Sequence, residues 1–130
     1  MPQSIDKAAN STILVVASDP KFLKFLDMSL KLEFEYGILS LTRGKRAVEL
    51  SRHVTPDLFI IDYHLLDVSA LELSSQLHKI TELESVPTIV LNSPVASWSE
   101  PQPYNTTFLT MQFALDDLYS AVNENLPPNR

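Results

Sequence analysis

Asp62 closes the stretch Asp57-Leu58-Phe59-Ile60-Ile61-Asp62, so a carboxylate follows directly on four buried-type residues. Such an apolar run reads as a short strand buried on both faces, as in a parallel sheet. A charge at the carboxyl end of that strand sits where open α/β sheets place their ligands. The plainer reading is that Asp62 ends a strand and caps a loop, since strand ends are often polar. Two other groups could join it in holding a cation. Asp19 is one, but its neighbour Pro20 suits it to the role of a helix N-cap. His64, two residues beyond Asp62, is the other; with no third ligand in view it reads as a solvated loop histidine. His53 and His78 fall in or beside helical stretches and read as surface or helix-end residues.

Other chemistries have less support. The chain has no cysteine, which excludes a disulfide framework and a thiolate metal site. Gly37 and Gly44 are its only glycines, and neither follows the first strand, so there is no phosphate-cradling loop. A nucleotide or flavin enzyme is therefore not expected. No serine stands in a nucleophile elbow.

The elements that must position Asp62 alternate along the chain. Residues 12–17 (TILVVA) are β-branched and apolar, a first strand. Asp19-Pro20 starts a helix in which Phe22, Leu23, Leu26, Ser29 and Leu30 follow helical spacing. Residues 36–42 form a second strand, Gly44 marks a turn, and residues 45–53 form a second helix with Ala47, Val48 and Leu50 inward. The third strand, 58–61, lies between Pro56 and the turn Asp67-Val68-Ser69. Ala70, Leu73, Leu77 and Ile80 step by three or four, an amphipathic third helix. Residues 87–91 and, more weakly, 107–110 supply strands four and five. Leu115, Leu118, Val122 and Leu126 lay out a last helix that Pro127-Pro128 stops.

This alternation implies an α/β fold: a doubly wound, five-stranded parallel sheet of order 2-1-3-4-5, flavodoxin-like. Its switch point lies between strands one and three, where Asp62 ends strand three. One segment departs from the pattern. Residues 92–105 carry Pro94, Pro101 and Pro103 where a fourth helix should join strands four and five. Interior proline costs a helix about 3 kcal/mol, so this helix is expected to be degenerate, a turn at most. Trp98 within it is a candidate anchor for a partner, or for packing on the sheet edge. The polar residues 1–10 are expected to be a disordered tail, 11–126 the domain, and 127–130 a short C-terminal tail.

With 130 residues, 45% of them hydrophobic, the chain can bury the core of one domain. Its net charge of −6 and lack of a Lys/Arg-rich run argue against nucleic acid as a partner. No apolar run approaches the roughly 20 residues that span a bilayer, and the N-terminus lacks a signal-peptide core. A soluble, cytoplasmic protein with no membrane partner is expected.

Taken together, these segments resemble the receiver domain of bacterial two-component response regulators, over about residues 12–126. The resemblance rests on Ile13-Leu14-Val15-Val16 followed by Asp19-Pro20, on Pro56-Asp57-Leu58-Phe59-Ile60-Ile61-Asp62, and on Leu71-Glu72-Leu73. Val86-Pro87-Thr88-Ile89 and Phe108-Leu109-Thr110 leading to Phe113-Ala114-Leu115-Asp116-Asp117-Leu118 complete it. It implies that Asp62 is the candidate phosphoacceptor and Phe108 the switch aromatic.

The departures are as informative. Where receivers carry an acidic pair after the first strand, this chain has Ala17 and Ser18. Asn92 replaces the Thr or Ser that ends strand four, and Met111-Gln112 replaces the Lys and cis-proline after strand five. Leu65-Leu66 and Ala70 stand where a Met-Pro-like turn and a glycine follow the phosphoacceptor. Mg²⁺ wants an oxygen shell built from one or two carboxylates, phosphate oxygens and water. Ala17 cannot coordinate it, Ser18 is a weak neutral ligand, and Asp62 alone would hold it poorly. Met111 offers a phosphoryl group no cation. Asn92 could still donate a hydrogen bond. A non-proline cis bond at Gln112 would cost about 2.5–4 kcal/mol, so the loop after strand five should run differently.

The expectation is therefore a degenerate member, a pseudo-receiver that is not an enzyme and has no catalytic residue, no cofactor and weak Mg²⁺ binding at most. It would act in phosphorelay signalling as a phosphorylation-independent interaction module. The resemblance implies a signalling protein as partner, such as a sensor histidine kinase or an effector domain, with a homodimer also open. It places the contact on Met111, Phe113 and the last helix, with the Pro-rich connection and Trp98. The alternative is a working phosphoacceptor at Asp62 with an unusual pocket.

Overall fold

Five parallel strands form one sheet of order β2-β1-β3-β4-β5 in the computed structural model, which describes residues 11–94 and 105–126. Along the chain these are β1 (Thr12–Val16), α1 (Pro20–Glu33), β2 (Gly37–Leu41), α2 (Gly44–Ser51), β3 (Leu58–Asp62), α3 (Ala70–His78), β4 (Thr88–Ser93), β5 (Thr106–Thr110) and α4 (Leu115–Asn125). A 3₁₀ turn at Thr81–Leu83 follows α3. The expected strand order is the observed one. The degenerate helix expected between strands four and five, together with Trp98 and both tails, lies outside the described residues. Among the described residues no helix is long and apolar enough to cross a membrane.

The two-residue period of a strand sends alternate side chains to opposite faces, and both faces here are covered. Ile13, Val15, Leu58, Ile60, Ile89 and Leu91 pack with Leu23, Leu26 and Leu30 of α1 and with Leu118 and Val122 of α4. On the other face, Leu14, Val16, Phe59, Ile61 and Val90 pack with Ala47 of α2 and with Leu73 and Leu77 of α3. This is why the central strands read as continuous apolar runs without alternation. Asp57, just before β3, accepts the Thr12 N–H at 2.8 Å on Oδ2 and fixes where β3 starts against β1.

Helix α1 begins as its sequence dictates. Asp19 is extended and accepts the Lys21 N–H at 3.1 Å, and Pro20 occupies the first turn, where its missing N–H costs nothing. At α4, Asp117 Oδ2 accepts the Ala114 N–H at 3.0 Å. That is half of a reciprocal cap, because alanine has no side-chain acceptor to return the bond.

Three expectations need correction. Gly44 is not a turn residue but the buried first residue of α2. A methyl group there would overlap Val68 Cγ1, so glycine allows α2 to press against the loop after β3. Ile80 does not continue α3, which stops at His78; Ile80 opens the 3₁₀ turn and is half-buried beneath it. His78 is a helix-end residue as expected, but it is buried, only 4% exposed. Its Nδ1 lies 2.7 Å from the Ser74 carbonyl oxygen and its Nε2 lies 2.8 Å from that of Val86, and the ring meets Phe59 edge-on. The polar side chain is buried because two backbone carbonyls meet it there.

Candidate functional site

Asp62 is the last residue of β3, at the carboxyl end of the strand that begins the second half of the sheet. Its side chain is nearly closed off, with the residue 6% exposed. Oδ1 accepts the His64 N–H at 3.2 Å and a longer bond of 3.4 Å from Asn92 Nδ2. Asn92 reaches it from an irregularity in β4: the pairing with β5 shifts register between Leu91 and Ser93, and Asn92 itself has φ 58°. Left-handed backbone is tolerated by asparagine better than by most residues, and a bulge of this kind re-aims a side chain.

The positions around Asp62 hold little chemistry of the kind a metal needs. Ala17 is fully buried and has no ligand atom. The Ser18 hydroxyl is already engaged twice, accepting the Leu66 N–H at 3.0 Å and donating to the Thr42 carbonyl at 3.2 Å. It thereby joins the segments that follow β1, β2 and β3. Asp19 is exposed and turned to its capping bond. His64 is exposed; its ring rests edge-on against Tyr63 at 5.1 Å, and its backbone N–H meets Asp62. Among the described residues no group of three or more His, Cys, Asp or Glu side chains could hold a metal ion.

Beyond β5 the chain turns sharply. Met111 is 59% exposed, and Gln112 has φ 68°, a left-handed conformation less comfortable for glutamine than for asparagine or glycine. Phe108 is half-buried against the α2/α3 side of the core. Phe113, expected on a contact face, is half-buried and packs against the α1/α4 cluster.

Sequence reasoning missed Asp67. Its Oδ1 accepts the Gly44 N–H and its Oδ2 the Lys45 N–H, each at 3.0 Å. A carboxylate from the loop after β3 thus caps the N-terminus of α2, whose own N-cap residue, Arg43, makes no side-chain cap bond. Burial pushes the Asp67 carboxyl up, but the N–H donors of Lys45 and Gly44 and the Lys45 charge outweigh it and hold the group below its ordinary 3.8. The only signal in the sequence was the absence of a capping side chain before α2. Ser18, Pro20, Thr42, Arg43, Leu66 and Asp67 line a surface cavity of about 360 Å³ beside these bonds.

No protein-family model and no curated protein sequence matches this chain. Solved structures do match. The receiver domain of the Francisella response regulator 1452 is 24% identical, with a TM-score of 0.74, covering 88% of this chain and 95% of that one. CheY4, a chemotaxis response regulator of Vibrio cholerae, is 13% identical with a TM-score of 0.79, covering 90% and 99%. The receiver domain of the sensor histidine kinase PA1611 of Pseudomonas aeruginosa, whose structure holds a magnesium ion in its active-site cleft, is 17% identical with a TM-score of 0.74, covering 89% and 97%. Identities this low carry the fold alone, and on that ground the chain has the fold of response regulator receiver domains.

Proposed function

We propose that this domain is a pseudo-receiver: a receiver fold that serves bacterial two-component signalling in the cytoplasm as a phosphorylation-independent protein-interaction module. The Ser18 hydroxyl supports this reading most directly. Where the resemblance puts a metal-binding carboxylate, Ser18 spends both its donor and an acceptor on Thr42 and Leu66. Phosphoryl transfer to a carboxylate depends on positioned cations that neutralise the transferring group. Ala17 has no side-chain oxygen to offer and Met111 no charge, which supports reading the domain as one that binds Mg²⁺ weakly at most and has no enzymatic role. The apolar side chains of Leu66 and Met111 are 88% and 59% exposed and follow β3 and β5, at the carboxyl edge of the sheet. They suit contact with a signalling partner such as a histidine kinase or an effector domain.

A second reading, phosphorylation on Asp62, is favoured by the place of that carboxylate at the switch point of the sheet. One experiment separates the two. Mg²⁺ is titrated to millimolar concentration while backbone amide shifts are followed, and a small phosphodonor is then added and the intact mass measured. The pseudo-receiver gives no saturable shift near Asp62, no phosphoryl adduct, and an Asp62→Asn variant that still works in the cell. Saturable binding, with an adduct that Asp62→Asn abolishes, would establish the second reading.

A further inference from the structure

Strand β2 is an edge of the sheet, and among the described residues no strand pairs with its outer side. Two bonds define its inner side: the Gly37 N–H donates to the Ser11 carbonyl, and the Leu41 carbonyl accepts the Ala17 N–H. Backbone groups alternate in direction along a strand. Leu39 therefore also faces β1, while Ile38 and Ser40 direct their N–H and C=O groups outward. Exposed edges are ordinarily blunted by proline, charge or a bulge. The stretch Gly37-Ile38-Leu39-Ser40-Leu41 has no proline and no charge, and it pairs with β1 without a register shift. A groove flanks this edge on either face of the sheet. The one between β2 and α1 has a volume of about 420 Å³, with Lys24, Ile38 and Ser40 in its wall. The one between β2 and α2 has a volume of about 360 Å³, with Leu41 and Leu50 in its wall.

We propose that the outer edge of β2 takes up an extended segment of another protein in which acidic residues alternate with apolar ones. The open groups of Ile38 and Ser40 are met by a peptide backbone, so the occupant adds to the sheet as a further strand. Its side chains alternate between the two faces, and each groove receives every second one. The grooves differ in charge. In the α2 groove Arg46 is paired with Glu49 at 3.4 Å, and Leu41 and Leu50 offer an apolar seat. In the α1 groove Lys31 is paired with Asp27 at 3.1 Å, while Lys24 has no ion pair among the described residues. Carboxylates therefore belong on the α1 side and apolar side chains on the α2 side. Arg43, exposed two residues beyond β2, extends the positive rim. The wider distribution of charge agrees. Residues 21–52 hold seven of the chain's ten Lys and Arg but four of its sixteen Asp and Glu, a net charge of +3 in a chain whose total is −6. A second copy is the poorer occupant, because two β2 edges would bring this excess of like charge together. The open edge is short, so the complex belongs with the small, transient ones. The inference rests on the edge of β2 and not on the state of Asp62, and it stands under either reading of that site.

The probe is an end-blocked peptide of alternating glutamate and valine, about eight residues long, titrated to millimolar concentration into the isotope-labelled full chain. The expected result is a saturable amide shift at residues 37–42, with slowed hydrogen exchange at the Ile38 and Ser40 amides. Lys24→Glu combined with Arg43→Glu should weaken binding several-fold, and the same peptide with lysine in place of glutamate should not bind. Both mutated side chains are exposed, and far-UV circular dichroism confirms the fold. Lys24→Gln combined with Arg43→Gln is the second pair should the first misfold. A titration without a saturable shift overturns the proposal, and so do shifts that leave Ile38 and Ser40 unprotected. A lysine peptide that binds equally well, or charge variants that bind as the wild type does, also overturn it. A chain that protects these two amides by itself as its concentration rises assigns the edge to a second copy and likewise overturns it.

Discussion

Ser18 and Leu66, 48 residues apart in the chain, are joined by a hydrogen bond of 3.0 Å from the Leu66 N–H to the Ser18 hydroxyl. Through its own donation to Thr42, the same hydroxyl holds the segments after β1, β2 and β3 together beside Asp62. Ser18→Ala removes both bonds. Because these groups lie near solvent, water replaces part of what is lost, and the cost should fall at the low end of about 0.5–1.5 kcal/mol. Urea unfolding measures it, and faster hydrogen exchange at the Leu66 amide localises it.

Asp67→Ala should cost about 1 kcal/mol, the usual scale for a lost N-cap, by leaving the Gly44 and Lys45 N–H groups to water. The effect depends on pH in a definite direction. The folded-state carboxyl is held below its ordinary 3.8, so the stability it contributes is present above that value and is lost as pH falls through the folded value. Wild type and Asp67→Ala should therefore differ most at neutral pH and converge in acid. Denaturant midpoints at a series of pH values from neutral downward check this; a constant difference would mean that the cap does not depend on the charge of Asp67.

Gly44→Ala pits two effects against each other. Helix propensity favours alanine by about 1 kcal/mol. Against that, the new methyl group overlaps Val68 Cγ1 and sits 3.3 Å from Leu73 Cδ2. Overpacking of this kind costs about 1–3 kcal/mol, and valine has little rotamer freedom with which to yield. The expected outcome is a net loss of stability and a displaced loop after β3, read from the melting temperature and from amide shifts of residues 66–69.

His78→Leu preserves bulk but leaves the Val86 carbonyl and the Thr88 hydroxyl without the imidazole that now meets them at 2.8 and 3.4 Å. Removing one partner of a buried polar contact costs about 1–3 kcal/mol. His78→Gln, which retains a polar head, should lose less, and thermal unfolding of the two variants ranks them.

Much of the architecture was legible in the residues. Apolar runs at 12–16 and 58–61 can be buried on both faces only in a covered parallel sheet, and alternation with helical patterns restricts the strand order to few choices. Asp19-Pro20 marked the start of α1 because the cap and the restricted proline act on their own neighbours. The position of Asp62 at the carboxyl end of β3 followed from the same local pattern.

What surrounds Asp62 was not legible, because it depends on contacts between residues far apart in the chain. The Asp67 cap reaches 22 and 23 residues back to α2, and the Asn92 amide reaches 30 residues back to Asp62. Periodicity states which side of an element is apolar; it carries no information about which loop groups meet once the elements are packed. The burial of His78 was not legible for that reason, since the Val86 carbonyl that makes it tolerable comes from the segment entering β4. The second apolar row on α1 is the converse case. The sequence determined that Phe25, Met28 and Leu32 share one line, but only the tertiary structure decided that the core takes the row of Leu23, Leu26 and Leu30 and leaves the other in water, because a helix can set only one side against the sheet.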